Sequence, residues 1–167
     1  MMEKILINLS GPDHPGITAN LMKDMSQVQV ELVDIGQSIT HGLLSLSLIV
    51  NKPTSYLLDD FRSLLQSSAD KMEMVLEIKK LELSQLNNDN FEKYIISCVS
   101  LQGIGPEFLH DITAVLAKNK INIERIDNVS KEKLVSLDIA TVTQESNLNW
   151  DKIKSELISL SNSHNID

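Results

Sequence analysis

The chain is written twice. Sliding the 167-residue sequence against itself by 91 positions lays Pro15 on Pro106, Ile35 on Ile126, Leu43 on Leu134, Ser45 on Ser136 and Leu46 on Leu137, with no gap in that span. Self-similarity at one fixed offset marks an internal duplication and restricts the fold to something assembled from two like units. Units of roughly 80–90 residues bury only a modest core. The same offset carries the strand candidate Glu73–Leu83 to positions 164–174, past Asp167. One unit is therefore expected to be complete and the other to lack its last strand.

Within the first unit, Lys4–Ser10 reads as a strand of branched apolar residues running into Gly11-Pro12-Asp13-His14-Pro15-Gly16, where two prolines and two glycines break regular structure. Pro15 suits the first turn of a helix, and Ile17, Leu21, Met25 and Val28 follow at helical spacing. Val30–Ile39 and Leu43–Val50 form two strands joined by the tight turn Thr40-His41-Gly42. A second helix carries Leu57, Leu58, Phe61, Leu64 and Leu65, and Met74–Leu83 returns as a fourth strand. The polar run ending in Asn87-Asn88-Asp89-Asn90 marks a linker.

The second unit repeats the order with strand Phe91–Ser100, helix Pro106–Asn119, strands Ile121–Val129 and Lys133–Thr143, and helix Asn147–Ser161, after which His164–Asp167 begins a strand. The expected domains are residues 1–84 and 91–167, with residues 85–90 between them. The fold class is α+β: two tandem βαββαβ units of the ferredoxin-like kind, each an antiparallel sheet with both helices on one face and the first strand central. Without a fourth strand, one edge of Tyr94–Val99 would be open to association. Either further residues follow Asp167 in the parent protein or a neighbouring chain covers that edge.

A formal charge of −8 and a pI near 4.9, with no basic cluster, argue against nucleic acid and anionic membranes as partners. Cys98 stands alone in the apolar run Tyr94–Val99 and reads as a reduced core residue. With no apolar run approaching ~18 residues and no leader pattern, a cytoplasmic protein is expected.

Catalytic patterns are scarce. His14, His41, His110 and His164 fall in separate elements without helical pairing, so no metal site is expected. Asp59-Asp60 reads as a helix start complementing the dipole. No G-x-S-x-G elbow or phosphate-binding glycine signature occurs. A binding site is easier to build. Gly11–Gly16 joins a strand to a helix, so free helix-start N–H groups suit a carboxylate, Gly16 permits close approach, and Asp13 can take an ammonium group. One loop thus offers partners for both ends of an α-amino acid. The alternative is a plain turn with Asp13 as helix cap.

That loop, with Ile17-Thr18-Ala19, Val30–Ile35 and His41-Gly42-Leu43-Leu44-Ser45-Leu46, resembles an ACT domain. More narrowly, the chain resembles the tandem ACT domains at the amino-terminal, regulatory end of some bacterial phosphoserine phosphatases. The resemblance implies an amino-acid sensor in serine biosynthesis, serine or glycine being the expected ligand, and a homodimer. It implies loop contacts at Gly11, Asp13 and Gly16, and an asparagine contact that falls on Asn122 in the second copy but on Glu31 in the first. The loop of copy one facing Asn122 would make one competent site. The reciprocal loop, Gln102-Gly103-Ile104, would face Glu31, with Gly103 still open to close backbone approach. Such phosphatases continue into a magnesium-dependent haloacid-dehalogenase-type domain opening on D-x-D. This chain contains no D-x-D, so no cofactor is expected here and any hydrolase activity would belong to the parent protein. The competing reading is a free-standing double-ACT regulator of the glycine-cleavage-repressor type.

Overall fold

The computed structural model describes residues 2–82, 92–131, 133–145 and 147–167. The chain divides into two units, Met1–Asn87 and Asn88–Asp167. The expected linker at 85–90 lies outside the described residues.

In the first unit, β1 (Met2–Pro12), α1 (Ile17–Ser26), β2 (Glu31–Thr40), β3 (Leu43–Pro53), α2 (Leu58–Lys71) and β4 (Val75–Lys80) form one antiparallel sheet of order β2-β3-β1-β4. The first strand is central, as expected. Period-two alternation sends Ile5, Ile7 and Leu9 of β1 and Leu44, Leu46, Leu48 and Val50 of β3 to one face, all buried. Ile17, Leu21 and Met25 of α1 and Phe61, Leu65 and Ala69 of α2 cover that face. The turn between β2 and β3 places His41 and Gly42 at φ 50° and 78°, the mirror-image turn that suits strand twist. Strand β2 is exposed along its whole length, with Leu32, Val33, Ile35 and Ile39 all more than two-fifths accessible.

Lys52, at the end of β3, is fully buried. Its Nζ lies 2.6 Å from Glu3 Oε1 across the β1–β3 pair and donates to the carbonyls of Pro53 and Tyr56, so all three ammonium protons have acceptors. Lys80 adds a second contact to Glu3 at 2.8 Å.

The second unit comprises β5 (Glu92–Ser100), α3 (Pro106–Lys118), β6 (Asn122–Asn128), β7 (Val135–Thr143) and α4 (Trp150–His164), with sheet order β5-β7-β6. Its core gathers Cys98, Phe108, Ile112, Leu116, Ile121, Ile139, Ile153 and Ile166. Burial pushes the Cys98 thiol above its ordinary pKa, with Asp138 adding to the shift. Val99 and Asp167 exchange both backbone hydrogen bonds, at 2.7 and 2.9 Å, the pattern of a hydrogen-bonded antiparallel pair.

The register refines the repeat. Bulges interrupt β2 at Leu32/Asp34 and β6 at Ile123/Arg125, 91 positions apart. Glu3 faces Lys52 in the first sheet and Glu92 faces Thr143 in the second, so the first strands repeat at an offset of 89 and the third at 91. Between matched positions, the path from Ser100 to Phe108 is therefore two residues longer than that from Gly11 to Ile17. Three local expectations shift. Pro15 precedes α1 in a turn instead of opening the helix; Leu57 is exposed at the N-cap of α2; and α4 runs Trp150–His164, three residues later at each end than expected.

Candidate functional site

The loop from β1 to α1 opens onto a cleft of about 350 Å3 lined by Asp13, His14, Gly16 and Thr18 from the loop and helix start, and by Gln37, Ile39 and Leu44 from the sheet. Several interactions fix its shape. The Asp13 N–H donates to the Gly42 carbonyl at 2.8 Å, tying the loop to the β2–β3 turn. His14 Nε2 lies 3.3 Å from the Met72 carbonyl oxygen and Nδ1 3.4 Å from that of Pro15, so a ring N–H tethers the loop to the end of α2. Gly16 is the N-cap residue at φ 100°, a conformation that L side chains rarely adopt. The first intrahelical bond runs from Asn20 N–H to the Gly16 carbonyl at 2.9 Å, which leaves the N–H groups of Ile17 to Ala19 without helical acceptors at the rim of the cleft.

Asp13 is the one acidic side chain lining this cleft, and it does not cap the helix: no side chain hydrogen-bonds the start of α1. Its carboxylate is exposed and has no hydrogen bond or ion pair among the described residues. Positive helix-end dipole and unpaired carboxylate therefore border the same space, which suits a small zwitterion.

The five residues singled out from sequence are distributed as follows. Asp13 and Gly16 line the cleft. Gly11 lies at the end of β1 and does not; a Cβ there would come within 2.7 Å of Met74 Sδ and 3.0 Å of the Glu73 carbonyl, so close packing against the start of β4 accounts for this glycine. In the second unit, Gly103 sits at φ 100° in the loop after β5 with open space around it. Asn122, the first residue of β6, borders a separate cleft of about 410 Å3 with His110, Thr113, Ala114 and Ala117 of α3. Glu31, its counterpart, accepts a hydrogen bond from Asn51 at 3.2 Å.

Sequence reasoning passed over Thr18 and Gln37. Thr18 Oγ1 donates to Gln37 Oε1 at 2.9 Å, closing one side of the cleft. Thr18 could have been suspected from its place in the first helical turn, whereas Gln37 enters only through the strand register. Among the described residues, no group of three or more His, Cys, Asp and Glu side chains is arranged to hold a metal, and no helix is long and apolar enough to cross a membrane.

Residues 3–79 match the ACT domain family. A phosphoserine phosphatase of Streptomyces coelicolor is 28% identical over 138 residues, which cover 81% of this chain and 33% of that protein; the chain thus spans about a third of that relative's length. Two solved structures align over 100% of the chain: an unknown protein from Galdieria sulphuraria, at TM-score 0.76, 12% identity and 96% of its length, and a putative glycine cleavage system transcriptional repressor, at TM-score 0.73, 13% identity and 95% of its length. At those identities the structural likeness establishes a shared fold.

Proposed function

We propose, from the match of residues 3–79 to the ACT domain family, that the chain is a regulatory module binding a free amino acid. The ligand's carboxylate meets the N–H groups at the start of α1 and its ammonium group meets Asp13. The unpaired Asp13 carboxylate beside an open helix start carries this reading. Serine and glycine are the ligands proposed. The sequence relative, a phosphoserine phosphatase, supports a role for this chain as the regulatory part of such an enzyme in serine biosynthesis. Regulation then follows from ligand binding one arrangement of a homodimer better than another. A cytoplasmic setting fits a chain with a single, unpaired cysteine.

Isothermal titration of the chain with serine, glycine and a wider amino-acid panel tests the proposal. Asp13→Ala should weaken binding about 10- to 100-fold, the range for losing a charge-assisted contact, with an unchanged thermal transition because the side chain supports no fold contact. Equal affinity in Asp13→Ala and the parent would remove Asp13 from the site. A second reading, a free-standing double-ACT regulator, draws support from the fold shared end to end with the putative glycine cleavage system transcriptional repressor. Reading the gene downstream of Asp167 separates the two: a D-x-D-bearing domain selects the phosphatase, a stop codon the regulator.

A further inference from the structure

We infer that the Thr18–Gln37 pair makes this cleft selective for amino acids whose side chain ends in a hydroxyl or a primary amide; the inference rests on the amino-acid reading above. Thr18 is half-buried in the first turn of α1, and Gln37 stands across the cleft on β2. The threonine hydroxyl spends its proton on Gln37 Oε1, at 2.9 Å. Its oxygen keeps lone pairs free, and the Gln37 Nε2 protons have no partner among the described residues. The pair therefore presents one acceptor and one donor side by side. Reversing the amide exchanges which residue plays which part and leaves the same complement. A hydroxyl or a carboxamide both gives and takes hydrogen bonds and satisfies the two together. A methyl group satisfies neither, a carboxylate only accepts and also faces Asp13, and an ammonium only donates.

The duplication supplies an internal control. Ninety-one positions on, Thr18 becomes Leu109, which packs against the core of the second unit, and Gln37 becomes Asn128, whose Oδ1 accepts from the Ser130 N–H at 3.0 Å within its own turn. The same βαββα order forms with no hydrogen bond between the two corresponding positions among the described residues. The hydrogen-bonded pair is thus not a requirement of the fold, and its presence beside Asp13 in one copy calls for a purpose of its own. Ile39 and the buried Leu44 complete an apolar wall that favours a compact side chain.

The test is titration of the parent chain, Thr18→Val and Gln37→Leu with serine, asparagine, alanine and aspartate, with thermal melts to show that each variant is folded. The parent should bind serine about 10-fold more tightly than alanine, the value of one or two net hydrogen bonds. Both variants should bring that ratio close to one by weakening serine while leaving alanine unchanged. A serine-to-alanine ratio that survives in both variants, or a parent that prefers alanine or aspartate, overturns the inference while the amino-acid reading stands. A parent that binds no member of the panel removes the reading itself, and the inference with it.

Discussion

Lys52 is buried within the first unit, and Glu3 and two carbonyls accept from its Nζ. Removing one partner of such a pair leaves the other charge stranded, so Glu3→Gln should cost about 3 kcal/mol in urea unfolding at pH 7. The hydrogen bonds from Lys52 and then Lys80 hold the Glu3 carboxyl below its ordinary pKa. A carboxyl lowered on folding stabilises above its unfolded pKa, about 4.3, and loses that contribution as pH falls through the lowered value. The gap between parent and Glu3→Gln should therefore narrow on acidification below about pH 4; a gap independent of pH would count against the ion pair. The second unit has Thr143 opposite Glu92, so this device belongs to one copy alone. At this scale the sequence was partly legible. Asp13 and Gly16 could be picked out because proline and glycine flag the loop, while nothing local to Lys52 announces its burial.

At the level of elements, α4 shows where pattern reading falls short. The sequence pattern starts this helix at Asn147 and ends it at Ser161. The helix begins after Asn149, whose side chain accepts from the Lys152 N–H at 3.0 Å, and it ends only where Asn165 takes a left-handed conformation. Inside that last turn, His164 Nε2 sits 3.0 Å from Asp111 Oδ2 of α3, a contact between helices that no periodicity can disclose. Asn149→Ala should lower the stability of the second unit by about 1 kcal/mol, read as an earlier thermal transition; Asn147→Ala should leave it in place. Strands were easier. Lys4–Ser10 and Leu43–Val50 were legible as strands, whereas the paired bulges in β2 and β6 were invisible because an extra residue leaves no compositional mark. Gln37 reaches the cleft through that unseen register, which is why it escaped notice.

For the whole chain, duplication set the architecture, and each unit gathers its own apolar cluster, one around Phe61 and one around Phe108. Phe61→Ala should destabilise the first unit by about 3–5 kcal/mol, and amide exchange should show lost protection in β1 and β3 with β5 and β7 unaffected. Loss of protection spread equally over both sheets would mean that the units unfold as one. A lysine sealed inside one of them also has a chemical consequence. Acylating reagents should modify surface amines such as those of Lys80 and Lys93 within minutes yet spare Lys52 until the first unit opens. The mass of the peptide carrying Lys52, followed over time in the presence of candidate metabolites, would then serve as a clock for how often that unit comes apart.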